Sequence, residues 1–176
     1  LDTDSWRKAL NSLLPADIVV LQVEVVPDDF HARYSARGKI YEYRIIDGGQ
    51  ISSLRRNYTY QIRHSLNLRR IREASSFLLG PHDFSAFSST RYGDEKKNLC
   101  NLRVIKIKRS SGEIMITLEA DRFLHHMVRR ISGTLVEAGR GRIRPEDVAR
   151  ILNSRDPRMA VINLPPQGLF LKRVLY

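Results

Sequence analysis

Apolar positions alternate with polar ones over short runs of this chain and recur at the helical period over longer runs. The strictest alternation lies in residues 39–46, where Tyr41, Tyr43 and Ile45 fall on one strand face and Ile40, Glu42 and Arg44 on the other. Residues 18–26 are nearly all β-branched or apolar at first and alternate from Gln22 onward, which predicts another strand. Residues 103–109 and 114–120 read as two strands joined through Ser110, Ser111 and Gly112, a hairpin signal. Helical spacing appears in residues 5–14, with Asp4 placed to cap and Pro15 to stop, and in residues 68–79, between Asn67 as cap and Gly80-Pro81 as terminator.

The strongest helical pattern is FLHHMVRRISGTLVEAGRGR, residues 123–142. Leu124, Met127, Val128, Ile131, Leu135 and Ala138 form one stripe, with Arg129 far round from it and His125 and Ser132 on its flanks. Ser132 and Gly133 are small enough for another backbone or a ligand to come close. An arginine held away from water needs an anionic partner; an ordinary amphipathic helix with solvated arginines fits the same pattern. Pro145 opens a further helix over residues 146–152, residues 153–164 read as linker, and residues 165–176 as a stiff turn and a last strand. The order helix, strand, strand, helix, strand, strand, helix, helix, strand predicts an α+β fold with a largely antiparallel sheet and helices packed against it.

Charge alters this picture more than bulk composition does. Thirty Lys and Arg against 19 Asp and Glu give a net charge of +11 and a pI near 10.2. Such an excess in a folded domain points to a polyanionic partner, nucleic acid before membrane, because no helix combines a basic face with a bulky aromatic one. The basic residues also interleave with aromatic ones. His31, Arg33, Arg37 and Lys39 lead into Tyr41 and Tyr43, and Arg55, Arg56, Tyr58, Tyr60 and Arg63 continue the theme. Rings beside cations are how proteins hold an unstacked base, although a packed strand face also accounts for the two tyrosines. Residues 91–98, with Lys96 and Lys97, read as a charged, flexible loop.

Much chemistry is excluded. Cys100 is the only cysteine, so neither a disulfide nor a thiolate cluster can form within the chain, and a reducing, cytoplasmic setting is the simpler expectation. His125 and His126, if adjacent on a helix, point about 100 degrees apart and cannot chelate together. There is no HExxH, P-loop, dinucleotide fingerprint or GxSxG. No apolar run is long enough to cross a bilayer. A metal-free, cofactor-free basic protein of 176 residues, one domain or one domain with an appendage, is expected. It begins at Leu1 rather than methionine, which suggests a fragment.

Four stretches in order, FHARYSARGKIYEYRI, FSAF, FLHHMVRRISGTLVEAGRGR and PPQGLFLKRVLY, resemble the carboxy-terminal domain of the bacterial tRNA pseudouridine synthase A family. The likeness runs from about Trp6 to Tyr176. It implies an enzyme that isomerises uridine to pseudouridine in the tRNA anticodon stem-loop without metal or cofactor, acting as a cytoplasmic homodimer on tRNA. It further implies that Tyr41 of the K-x-Y-x-Y motif meets the flipped base as a candidate general base. Arg129 pairs with the nucleophilic aspartate, and Leu169 packs against the pocket. With the basic pattern it marks His31, Arg33, Arg37, Lys39, Arg55, Arg56, Lys96, Lys97, His125, Arg130, Arg140 and Arg142 as RNA-binding candidates. The family's aspartate sits in a Gly-Arg-Thr-Asp-Ala-Gly-Val-His loop, and no aspartate here has that context. The expectation is half of an active-site cleft, inactive alone, with a non-catalytic tRNA-binding module or a dimerisation scaffold as alternatives.

Overall fold

The computed structural model describes residues 2–49, 53–89, 98–160 and 162–176. They fall into two compact units, Leu1–Ser35 and Ala36–Tyr176.

The first unit contains one helix, α1 (Thr3–Leu13). Its cap is Asp2, whose carboxylate accepts from the Ser5 backbone N–H at 2.7 Å, and not Asp4, which lies inside the first turn paired with Arg7 and Lys8. The strand expected over residues 18–26 does not form. Leu21 and Val25 are 85% and 89% exposed. β-Branched content makes a strand only when a neighbour completes its ladder of hydrogen bonds. Here the Asn11 side chain alone brackets Val20, accepting from its N–H at 2.7 Å and donating to its carbonyl at 2.9 Å.

The second unit is an α+β structure in which a mixed, mostly antiparallel sheet packs against helices. Its elements are β1 (Gly38–Asp47), β2 (Tyr60–Ile62), α2 (Leu68–Ser76), β3 (Gly80–Asp83), β4 (Leu99–Ser110), β5 (Glu113–Ala120), α3 (Met127–Arg140), α4 (Asp147–Ser154) and β6 (Leu169–Leu175). The strand order is β2-β1-β5-β4-β3, with β6 also on β1. The parallel pair is β1 with β2; β1–β5, β1–β6, β3–β4 and β4–β5 are antiparallel. β2 and β3 are too short to announce themselves by alternation, and Pro81 marks β3 as an edge strand, where a missing N–H is harmless. β4 begins before the residues expected of it and shifts register between Leu102 and Val104.

The core follows from the alternation. Tyr43 and Ile45 of β1 align with Ile116 and Ile114 of β5, and all four are closed to solvent. Ile71 and Ala74 of α2 and Met127, Ile131, Leu135 and Ala138 of α3 fill the space above them. α3 is buried well beyond its predicted stripe. Ser132, Gly133, Thr134, Val136, Glu137 and Gly139 are buried as well. The reason is visible at Gly133, where a Cβ would stand 2.2 Å from the Ile162 carbonyl oxygen. Only glycine admits the crossing segment so closely. That segment runs on through Leu164, whose N–H donates to the Arg129 carbonyl at 3.4 Å.

On the other face of β1, Glu42 is 3% exposed and accepts from Arg44 at 2.9 Å and from Lys172 at 3.0 Å. Arg44 also lies over the Phe170 ring, 4.3 Å from its centroid. Burial raises the Glu42 carboxyl, and the Lys172 and Arg44 contacts more than offset this, leaving it below its usual value of 4.5.

Two outcomes are expected. Gly133→Ala lowers unfolding stability by about 1–3 kcal/mol, measured by chemical denaturation, because the helix and the crossing segment must part; an unchanged midpoint contradicts the packing described. The depressed Glu42 contributes stability that is fully present above about pH 4.5 and is lost as pH falls through its lower folded value. The stability difference between the wild type and Glu42→Gln therefore shrinks on acidification below about pH 4.5.

Candidate active-site pocket

β1 carries Tyr41 between Leu118 of β5 and Leu171 of β6, and the next inward position, Tyr43, between Ile116 and Leu169. The loop after β5 brings Phe123 edge-on to Tyr41, ring centroids 5.1 Å apart at 82°. The first turn of α3 then supplies Met127, Val128 and Arg129. The opposite wall is Pro166 and Leu169, from the tight turn Pro166–Gly168 and the start of β6. Gly168 makes this wall possible, since a Cβ there would lie 2.8 Å from the Arg44 carbonyl oxygen and 2.9 Å from the Tyr43 ring. These residues, with Leu124, His125 and His126, enclose a cavity of about 320 Å³, near the lower end of the range for small-molecule sites.

Two hydrogen bonds fix the wall. The Tyr43 hydroxyl donates to the Pro165 carbonyl at 2.6 Å, and Arg129 Nε donates to the Leu164 carbonyl. The remaining guanidinium nitrogens of Arg129 have no carboxylate partner among the described residues. A half-buried cation beside the first turn of a helix favours an anion from elsewhere. Burial pushes the Tyr41 phenol up, so it is protonated at neutral pH. Burial likewise raises Tyr43, against an opposing pull from Arg129. His126 is lowered, first by desolvation and then by His125, Arg129 and Arg130.

The structure therefore brings Tyr41, Arg129, Leu169 and His125 to one cavity. Arg130 faces elsewhere. Its guanidinium donates to the Ser88 carbonyl at 3.0 Å and to the Pro157 carbonyl, fastening two loops to α3. Arg140 and Arg142, at the far end of α3, pair with buried Glu137 at 2.9 and 3.1 Å. Arg55 pairs with Glu113 at 2.7 Å and Arg56 donates to the Ser53 carbonyl at 2.9 Å, toward the end of β1 where Ile46 faces Glu113. Lys39 stands two residues before Tyr41 on β1, and the Arg37 carbonyl accepts from Arg103 at 3.3 Å. His31 and Arg33 belong to the first unit, where both approach the Tyr34 ring. Lys96 and Lys97 lie outside the described residues.

The helical placement expected of the histidine pair is corrected. α3 starts at Met127, and His126 adopts the left-handed conformation, φ 64° and ψ 3°. The two imidazoles are consequently stacked, centroids 3.8 Å apart and 26° between planes, instead of diverging. His126, Phe123 and Pro166 were not singled out from sequence. Their proximity to Tyr41 depends on that one backbone angle and on Gly168, and neither leaves a trace in hydrophobic periodicity.

Comparison with known proteins bears on this arrangement directly. Residues 74–176 match the family described as tRNA pseudouridine synthase. The tRNA pseudouridine synthase A 2 of Clostridium tetani is 41% identical over 173 residues, covering 98% of this chain and 69% of that protein. The tRNA pseudouridine synthase A of Halalkalibacterium halodurans is 42% identical over 170 residues, 97% of this chain and 64% of that one. A Thermoanaerobacter relative of the same name is 43% identical over 169 residues, 96% and 68%. The chain thus spans about two thirds of the length of these relatives. Identity at this level over almost the whole chain, together with the family match, means that the chain belongs to the tRNA pseudouridine synthase family.

Proposed function

We propose that the cavity between Tyr41 and Arg129 receives a uridine flipped out of the tRNA anticodon stem-loop, and that this chain forms one half of the cleft in which that uridine is isomerised. The observation that carries the reading is Arg129: held by the Leu164 carbonyl at the cavity wall, it has no carboxylate partner among the described residues. A nucleophilic aspartate supplied by the part of its longer relatives that this chain does not span would complete that ion pair. The charge of +11 supports a tRNA partner, and a cytoplasmic homodimer is part of the same reading.

In this scheme the target nucleotide leaves the stack, at a cost smallest where the RNA is already looped. The glycosidic bond breaks, the uracil turns, and C5 replaces N1 on the sugar; the C5 proton passes to solvent and N1 takes one up, so the product is an isomer of the substrate. Tyr41 and Leu169 bound the space in which the base turns. Tyr41 meets it as a neutral phenol, ring edge and hydroxyl together. Service as a general base requires the phenolate, which burial disfavours.

Tritium release from unmodified tRNA labelled at uridine C5 tests the proposal. The chain alone releases none, and addition of the remaining third of a full-length relative restores release. In the completed enzyme Arg129→Ala lowers turnover about 100-fold or more, without the stability loss of about 1.5–3 kcal/mol expected for Arg130→Ala, whose charged hydrogen bonds hold two loops. Near-normal turnover by Arg129→Ala removes it from the mechanism. Salt-sensitive tRNA binding without turnover in the completed enzyme favours a non-catalytic binding module instead.

A further inference from the structure

His126 is held by more constraints than a residue at a helix entrance requires. Its backbone lies in the left-handed region at φ 64°, where a residue with a Cβ is strained and which the structure must therefore enforce. Its ring stacks on His125 at 3.8 Å. His125 is in turn fixed by Ser89, whose hydroxyl lies 2.7 Å from His125 Nδ1 and whose N–H donates to the His125 carbonyl at 3.2 Å. The Nδ1 of His126 faces the Asn163 side-chain amide nitrogen at 3.4 Å.

That last contact fits one tautomer: with the Asn163 amide donating, Nδ1 of His126 carries the lone pair and Nε2 carries the hydrogen. The Nε2 edge, on the other side of the ring, has no partner among the described residues, and the ring forms part of the wall of the Tyr41–Arg129 cavity. His126 offers no cap hydrogen bond to α3, so the helix gains nothing from its side chain.

We propose that His126 is a substrate-binding residue whose neutral Nε2–H donates to a carbonyl oxygen of the flipped uracil. The inference rests on the pocket reading above and adds to it the group that recognises the base. The charged and titratable groups near His126 are His125 beside it, Arg129 on α3, Arg130 on α3 though turned away from the cavity, and Tyr41 across the cavity; none is an anion. Desolvation, and then His125 and the two guanidinium groups, hold His126 below its ordinary value, so the donor stays neutral at physiological pH. A neutral N–H suits a carbonyl, whereas Arg129 suits a carboxylate. The two cavity donors thus divide the work, the arginine toward the anion and the histidine toward the base.

The test is imidazole nitrogen NMR on the labelled chain, titrated with uridine 5′-monophosphate and, in parallel, with adenosine 5′-monophosphate, whose base has no carbonyl. In the free protein the His126 proton resides on Nε2. The uridine nucleotide moves the Nε2–H resonance and the adenosine nucleotide does not. His126→Phe, which keeps a ring for the stack and removes the donor, weakens uridine nucleotide binding roughly three- to tenfold. His126→Asn, which tolerates the left-handed backbone and retains an N–H, stays within about threefold of wild type. His126→Gly removes ring and strain together, so its unfolding midpoint rises while its affinity for the nucleotide falls. A proton found on Nδ1 overturns the inference. So does movement of Tyr41 and Arg129 resonances while His126 stays still, an outcome that leaves the pocket reading intact. If no cavity resonance responds to either nucleotide, this inference falls, while the pocket reading is decided by tritium release in the completed enzyme.

Discussion

A helix buried around nearly its whole circumference has to find protein partners for most of the polar groups it carries, and α3 does so for all but a few, the Ser132 hydroxyl among them. Glu137 cannot face water, so Arg140 and Arg142 close over it. The Thr134 hydroxyl turns back to the Arg130 carbonyl at 3.0 Å. Arg130 reaches out to Ser88 and Pro157, and Arg129 to Leu164. The Arg129 and Arg130 bonds at the same time fix loops to the helix. The first turn of α3, with Arg129 bound to the Leu164 carbonyl, and the tyrosine face of β1 belong to the walls of the cavity. Keeping α3 dry thus also places part of the site.

The same need changes how the basic composition should be understood. Arg44, Arg55 and Arg109 are each paired with an acid along the sheet, Glu42, Glu113 and Asp47. Arg130 is taken up by backbone carbonyls. Cations read along the sequence as one pool therefore divide into those that hold the fold and those, like the outer part of Arg129, left with capacity for a partner. Charge counts cannot make that division; hydrogen-bond geometry can.

How far the sequence could be read depended on the range of the interactions involved. The alternation in β1 and β5 and the stripe on α3 record burial residue by residue, and the sheet and core followed from them. Where formation depends on a neighbour distant in the chain, the pattern misleads or says nothing. Residues 18–26 have strand composition without a ladder partner, and β3 gains its place from pairing with β4 despite Pro81. Arg129 and Tyr41 were legible through the motifs that contain them. His126 was not, because a left-handed angle at a helix entrance belongs to no residue pattern, and assuming a continuous helix sent its ring the wrong way.

One edge of β1 is divided between two neighbours, β6 along Gly38–Tyr43 and β2 along Ile45–Asp47. The larger share goes to β6, far along the sequence from β1. β1, β5 and α3 hold a common core without β6, but Leu171 beside Tyr41 and Leu169 beside Tyr43 arrive only when β6 pairs. Folding of the core and closure of the cavity are thereby separable, and a chain shortened before β6 keeps most of its apolar core while losing one wall of the cavity.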